Sequence, residues 1–156
     1  MTSISAAPVR VPIPINLDRA EAALGGVDAQ IGTRWYDLLF GAAGSSNYLA
    51  RLIQRHGDWL NSIASVDPTH AFNAILDELV VSTTSDQTRA EVGLALRVAK
   101  SRAALLIGVA DLGGVWPLSS VTGALTELAD SCAEAASRWL LAQEIAKGKL
   151  LSLIHI

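Results

Sequence analysis

The sequence has a single cysteine, Cys132, among its 156 residues. One cysteine cannot form an internal disulfide or supply a zinc cluster, so we expect a fold held by its core in a reducing, cytoplasmic setting. Basic residues are also few, because 12 Lys and Arg stand against 15 Asp and Glu and give a formal net charge of −3. Without a basic field to attract phosphates, nonspecific nucleic-acid binding is not expected.

The sequence also lacks the pattern of a secretory signal or of a membrane span. Residues 1–7 contain no basic segment followed by an apolar one. The most apolar stretch, residues 103–110, lies between charged residues and is far too short to cross a bilayer. Hydrophobic residues nevertheless make up 51% of the chain. That fraction provides enough apolar surface to offset the entropy of ordering the backbone, so we expect one folded, soluble domain with no membrane contact.

The hydrophobic pattern predicts an all-α fold, an antiparallel helical bundle with two long helices at its C-terminal end. Residues 1–15 are expected to form an extended Pro-rich arm, because proline has no amide hydrogen for a central strand. A helical domain is expected over residues 16–147. Residues 148–156 are expected to be a truncated or non-native tail.

Local residues predict where the helices begin and end. The expected boundaries are a first helix from Asn16 or Leu17 to Leu24, a short segment between Gly32 and Gly41, a helix capped by Ser45, Ser46 or Asn47 and interrupted at Gly57, a helix started by Asp67 and Pro68, a loop over residues 80–84, a long helix from Ser85 or Asp86 to Ala110, and a last helix capped by Ser119 or Ser120 and ending near Lys147.

Apolar residues recur at steps of three and four in both long helices. We therefore expect these helices to pack against each other and to form the strongest part of the core. The expected contact residues are Leu96, Ala99, Ala103, Leu106 and Ala110 of the first, and Val121, Leu125, Leu128, Cys132, Ala135 and Trp139 of the second.

The histidines His56, His70 and His155 lie in different segments, and none is three or four residues from another or from the cysteine. Zinc ligands on a helix are typically three or four residues apart, and no pair here has that spacing. We therefore expect surface or capping roles for the histidines. Asp67 lies three residues before His70, but it is expected to cap a helix. Cys132 falls on an apolar helix face and is expected to be a small core residue, not a nucleophile.

The acidic residues show no paired catalytic geometry. Asp130, Glu134 and Arg138 are four residues apart, which predicts an exposed ladder of ion pairs along a helix. Asp77 and Glu78 are adjacent in sequence, so their side chains diverge around a helix and cannot form a dyad.

Three further groups of residues are candidates for binding. Asp111 follows an apolar run and is expected to hydrogen-bond local amides at the end of its helix. Arg97, Lys100 and Arg102 are expected to form a solvated helix face, with a small basic patch for a phosphate or an acidic partner as the alternative. The four tryptophans are widely separated, which favours packing between helices over a ligand cage; they are Trp35, Trp59, Trp116 and Trp139.

No nucleotide, hydrolase or zinc-protease motif occurs in the sequence, whether GxGxxG, GxxxxGK[ST], GxSxG or HExxH. On its residues alone, the chain is a helical domain to which we assign no catalytic, cofactor-binding or metal-binding residue. Two alternatives stay open: a stand-alone helical protein-interaction module, and a bundle that binds a small ligand through its tryptophans, which no convergent polar groups support.

Three segments, residues 47–53, 96–116 and 121–130, resemble a known family in order and spacing. The region 41–147 that contains them resembles the amino-terminal helical region of bacterial glutamine synthetase adenylyltransferase, the bifunctional adenylyltransferase and adenylyl-removing enzyme. The most specific part is residues 97–116. The matching positions are Leu96, Lys100, Arg102, Leu106, Asp111, Trp116, Thr122, Leu125 and Trp139.

The resemblance implies a longer parent chain with two nucleotidyltransferase domains. One removes adenylyl groups from a tyrosine of glutamine synthetase by phosphorolysis, and the other attaches them from ATP. It also implies ATP and Mg²⁺ as cofactors of the parent, and glutamine synthetase and a PII-type signalling protein as its partners. In the family, a glycine-rich turn and paired aspartates hold the phosphates and metal ions.

This sequence contains no Asp-x-Asp pair and no glycine-rich turn after Lys147. The resemblance therefore implies an amino-terminal fragment that is inactive alone. A face left exposed by a missing catalytic domain would help to explain the mean hydropathy of +0.36. Residues 151–156 resemble a translated adapter from a sequencing library more than a continuation of the family.

Overall fold

The computed structural model describes residues 8–28 and 32–148, and within these residues the fold is all-α, which confirms the predicted class. His155 and most of the expected tail, residues 149–156, lie outside the described residues. The helices are α1 (Leu17–Ala23), α2 (Thr33–Ser45), α3 (Asn47–Arg55), α4 (Gly57–Ile63), α5 (Pro68–Val81), α6 (Arg89–Leu112) and α7 (Leu118–Ala146).

Helix α5 begins where the sequence predicts. The Asp67 carboxylate accepts hydrogen bonds from the backbone N–H groups of Thr69 (2.9 Å) and His70 (3.3 Å), and Pro68 occupies the first turn. At its other end, α5 continues through Val81, so the loop predicted over residues 80–84 begins two residues too early. Burial of the preceding apolar face extends the helix over these β-branched residues.

The predicted starts of both long helices are wrong by two to four residues. Helix α6 begins at Arg89 because Thr88 and Glu91 form a capping box, with the Glu91 carboxylate 2.7 Å from the Thr88 backbone nitrogen. Ser85 and Asp86 precede this cap. Helix α7 begins directly after Pro117, ahead of the expected serine caps.

The deepest part of the core lies where the C-terminal half of α6 meets α2 and α3. The most fully buried large side chains are Trp35, Leu38, Leu39, Ile53, Leu60, Leu79, Leu105, Leu106 and Val109. None of them belongs to α7. The two long helices do pack against each other as expected, and as extensively as any pair of helices in the described chain, but the most deeply buried side chains lie elsewhere. Leu125 is 48% exposed, and the neighbouring Ala124 is buried in its place.

Helices α6 and α7 are antiparallel, and the end of α7 lies on the connection between α5 and α6. The Trp139 indole N–H donates to the carbonyl oxygen of Gln87 (2.9 Å), and the Gln143 amide donates to that of Ser85 (2.8 Å). In the part of the chain that the structure describes, no helix has the length and apolar character needed to cross a membrane.

The described part of the N-terminal arm, residues 8–15, lies extended across α2. Its backbone is fixed to the end of α6 by hydrogen bonds from the Val9 and Arg10 amides to the carbonyl oxygen of Gly113 (2.8 and 3.0 Å). A Cβ at Gly41 would overlap the Pro12 carbonyl oxygen. The prediction that Gly41 ends a helical segment is wrong, because Gly41 lies within α2. A glycine is needed there because any side chain would displace the arm.

We expect Gly41→Ala to destabilise the fold, because the added methyl group must displace the arm. The free energy of unfolding should fall by about 1–3 kcal/mol, and trypsin should cleave after Arg10 faster. Gly123→Ala is the matched control, since nothing lies within 4 Å of a Cβ there. It should raise stability by about 0.5–1 kcal/mol. Urea denaturation and timed proteolysis measure both, and a Gly41 variant with unchanged stability and cleavage would contradict the arm contact.

Candidate functional site

A groove of about 360 Å³ lies between α5 and α6. Its walls are apolar, whereas its rim carries two carboxylates and one guanidinium. The apolar lining residues are Ile75, Leu79, Val81, Leu94, Ala95, Val98 and Ala99, and the charged ones are Glu78, Glu91 and Arg102. The volume falls in the range of small-molecule pockets.

Arg102 fixes one end of this groove. One of its terminal nitrogens lies 2.7 Å from a carboxylate oxygen of Glu78, and its guanidinium carbon lies 5.6 Å from the ring centroid of Trp59. Because the guanidinium already has an anionic and an aromatic partner, it is not a free anion receptor. Lys100 is exposed on another side of α6. The structure therefore does not bring Lys100 and Arg102 together as a basic patch.

His56 and Ser101 form a buried polar pair behind Trp59. The His56 Nε2 atom lies 2.8 Å from the Ser101 hydroxyl oxygen, and that hydroxyl donates to the carbonyl oxygen of Val98 (3.0 Å). A hydroxyl has one proton, so we assign the proton of this contact to His56 Nε2. The pair therefore lacks the geometry in which a histidine removes a proton from a serine nucleophile.

The environment of His56 also favours its neutral form. Burial lowers the pKa of the imidazole below its ordinary value, and the positive charges of Arg102 and Arg55 lower it further. His56 lies at the junction of two helices, because it follows the last residue of α3 and directly precedes α4. The surface or capping role expected for this residue is wrong for its side chain, which is buried, makes no capping hydrogen bond and instead contacts Ser101 of α6.

The carboxylates near the groove do not assemble a metal site. Glu78 is paired with Arg102, and hydrogen bonds from the Thr88 backbone and hydroxyl hold the pKa of Glu91 below its usual range. Over residues 8–28 and 32–148, no three His, Cys, Asp or Glu side chains lie close enough to hold a metal ion.

The remaining acidic residues stay apart from this groove. Asp130, Glu134 and Arg138 are exposed on α7 but form no ion pair, so the predicted ladder is wrong; a solvated pair at such positions gains little free energy. Asp111 acts through its backbone, because its carbonyl oxygen accepts from the Gly114 amide (3.0 Å). Its carboxylate makes none of the expected hydrogen bonds to local amides.

Cys132 and the tryptophans pack between helices. Cys132 is half-buried against the core, and burial raises the pKa of its thiol, which disfavours the nucleophilic thiolate. Trp35 is fully buried, and Trp116 meets Phe72 edge to face with ring centroids 6.2 Å apart. With Trp59 beside Arg102 and Trp139 on the connection that precedes α6, no two tryptophans face one ligand position.

Comparison with known proteins identifies the family. The model of the family described as glutamate-ammonia ligase adenylyltransferase matches residues 36–152, which is most of the chain. The chain belongs to this family. Its match to the bifunctional glutamine synthetase adenylyltransferase/adenylyl-removing enzyme of Bradyrhizobium sp. (strain ORS 278) is 40% identical over 127 residues. The enzyme of the same name from Caulobacter vibrioides is 40% identical over 134 residues.

These matches cover most of this chain but little of its relatives. The Bradyrhizobium match includes 78% of this chain and 12% of the relative, and the Caulobacter match includes 85% and 13%. The chain therefore spans about an eighth of the length of these adenylyltransferases. No solved structure matches it.

The contacts at the groove could not have been found from the sequence. His56 and Ser101 are separated by 45 positions, and Glu78 and Arg102 by 24. Each pair joins two different helices, and neither has a local motif that would indicate its partner. Helical periodicity indicates which residues share a face, but it does not indicate which faces meet.

The buried, neutral His56 should make stability depend on pH. Because its folded pKa is lowered, its contribution is complete above the unfolded value of about 6.5 and is lost as the pH falls below it. We expect the unfolding free energy of the parent chain to fall between pH 7.5 and 5.5, by at most about 1.4 kcal/mol per pH unit. His56→Gln should flatten this slope, measured by urea denaturation, whereas His70→Gln at an exposed position should not. Equal slopes in the parent chain and the His56 variant would refute the assignment.

Proposed function

We propose that this chain is the helical segment that precedes the adenylyl-removing nucleotidyltransferase domain in glutamine synthetase adenylyltransferase. The whole enzyme would add adenylyl groups to a tyrosine of glutamine synthetase and remove them, and so regulate nitrogen assimilation in the cytoplasm. The observation that carries this proposal is the 40% identity to a bifunctional adenylyltransferase over 127 residues. Because the match includes only 12% of the relative, the proposal gives this chain one segment of the enzyme and not its whole activity.

The segment would serve the enzyme as a scaffold rather than as a reaction centre. The side chains that could do chemistry are committed to each other: His56 to Ser101, and Glu78 to Arg102. None is placed beside a second group that would complete a nucleophile and base pair. Binding of ATP, Mg²⁺ and a PII-type protein would accordingly belong to other parts of the full-length enzyme.

A stand-alone helical interaction module is the second candidate. It is favoured by large apolar side chains that remain exposed on the helices, Leu118 (74%) and Val81 (73%) among them. Sequencing the DNA after the codon for Leu150 from an independent genomic library distinguishes the two. A continuation that encodes a glycine-rich turn and an Asp-x-Asp strand supports the adenylyltransferase proposal, whereas a stop codon after Ile156 supports the module.

The purified 156-residue chain should have no adenylyl-removing activity. Incubated with adenylylated glutamine synthetase and phosphate, it should release no ADP above a protein-free blank, because its sequence has no Asp-x-Asp pair to hold the metal ions that position the reacting phosphates. The full-length Caulobacter vibrioides relative, assayed on the same substrate, is the positive control. ADP release that scales with the concentration of the chain would refute the scaffold role.

A further inference from the structure

The outer face of α7 changes character along its length. The positions that point away from the bundle are exposed and follow one another at steps of three and four. They are Ser119, Gly123, Thr126, Asp130, Glu134, Ser137, Leu141 and Ile145. The first six are small or polar, as expected for a solvated face, whereas the last two are large and apolar. Because Trp139 points inward, the last two turns of α7 are apolar on opposite sides.

Further exposed apolar side chains lie at the same end of the bundle, on other faces. Val80 lines a groove with Trp139, and Val81 and Leu94 line the groove between α5 and α6. We call this set the distal apolar surface: Val80, Val81, Leu94, Leu140, Leu141 and Ile145, each 49–73% exposed. Concentration of such residues at one end of a bundle, where three helix ends meet, is typical of a contact surface and not of a solvated one.

The polypeptide leaves α7 at this same surface. The helix ends with a hydrogen bond from the Gly148 amide to the carbonyl oxygen of Ile145 (2.9 Å), and Gly148 has a φ of 67°. This left-handed conformation turns the backbone out of the helix direction. Lys147, the residue before it, lines a groove with Leu140 and Arg89. The backbone therefore leaves the helix beside Ile145, a member of the distal apolar surface.

We propose that the distal apolar surface is covered by the polypeptide that follows α7 in full-length members of the family. The family match continues to residue 152, and about seven eighths of each relative lies outside the matched part. A tethered segment that starts at the surface has a high effective concentration there, which favours it over a separate protein or a second copy. The proposal rests on family membership, not on the proposed scaffold role in catalysis.

Thiol labelling tests this contact. Leu141→Cys places a thiol on the distal apolar surface, and Thr126→Cys places one on the polar part of the same outer face, roughly 22 Å away along the helix. Both are made in a Cys132→Ala background, so that the native thiol does not react. In the 156-residue chain, we expect the two introduced thiols to react with a maleimide at rates within about threefold of each other, since both positions are exposed.

The same two positions are then labelled in the full-length Caulobacter vibrioides relative, with the label assigned by peptide mass spectrometry. We expect the rate at the position of Leu141, divided by the rate at the position of Thr126, to fall at least tenfold relative to the short chain. An unchanged ratio in the full-length protein would overturn the proposal. So would a ratio that is already low in the short chain and falls further with its concentration, because a second copy would then be the occupant. Neither readout requires glutamine synthetase or nucleotide, so loss of activity would not affect the result.

Discussion

Burial of the C-terminal half of α6 is the interaction on which the rest of the structure depends. Leu105, Leu106 and Val109 are fully buried, and each contributes about 1.5–3 kcal/mol relative to an exposed side chain. They lie where α6 crosses α2 and α3, and the same helix also packs on α5 and α7. One uninterrupted helix therefore joins the two halves of the bundle, and the arm is attached at its end through Gly113.

The polar contacts near the groove follow from this arrangement. Because α6 passes both α3 and α5, it brings Ser101 to His56 and Arg102 to Glu78. These pairs link three helices at one level of the bundle. The Glu78 carboxylate stays more than half exposed, and the buried Nε of Arg102 has no hydrogen-bond partner. These side chains bind to each other within the chain, which is consistent with a supporting segment of a much larger adenylyltransferase.

The two ends of the bundle differ in how their apolar residues are used. At the end where α6 stops, the arm lies against glycines of α2, so that backbone contacts backbone. At the opposite end, Leu141 and Ile145 extend the apolar character of α7 to its outer face. Apolar side chains on two opposite sides of a helix end are typical of a contact surface, whereas the preceding polar turns of α7 face solvent.

The sequence by itself determined the helical class, the start of α5 at Asp67 and Pro68, and the family, because periodicity, caps and ordered segments are local properties of a chain. Only the tertiary structure decided that Gly41 lies inside a helix, that Leu125 is exposed while Ala124 is buried, and that His56 meets Ser101. Each of these depends on which helix faces another. That choice is made by the packing of whole faces, and no single segment carries it.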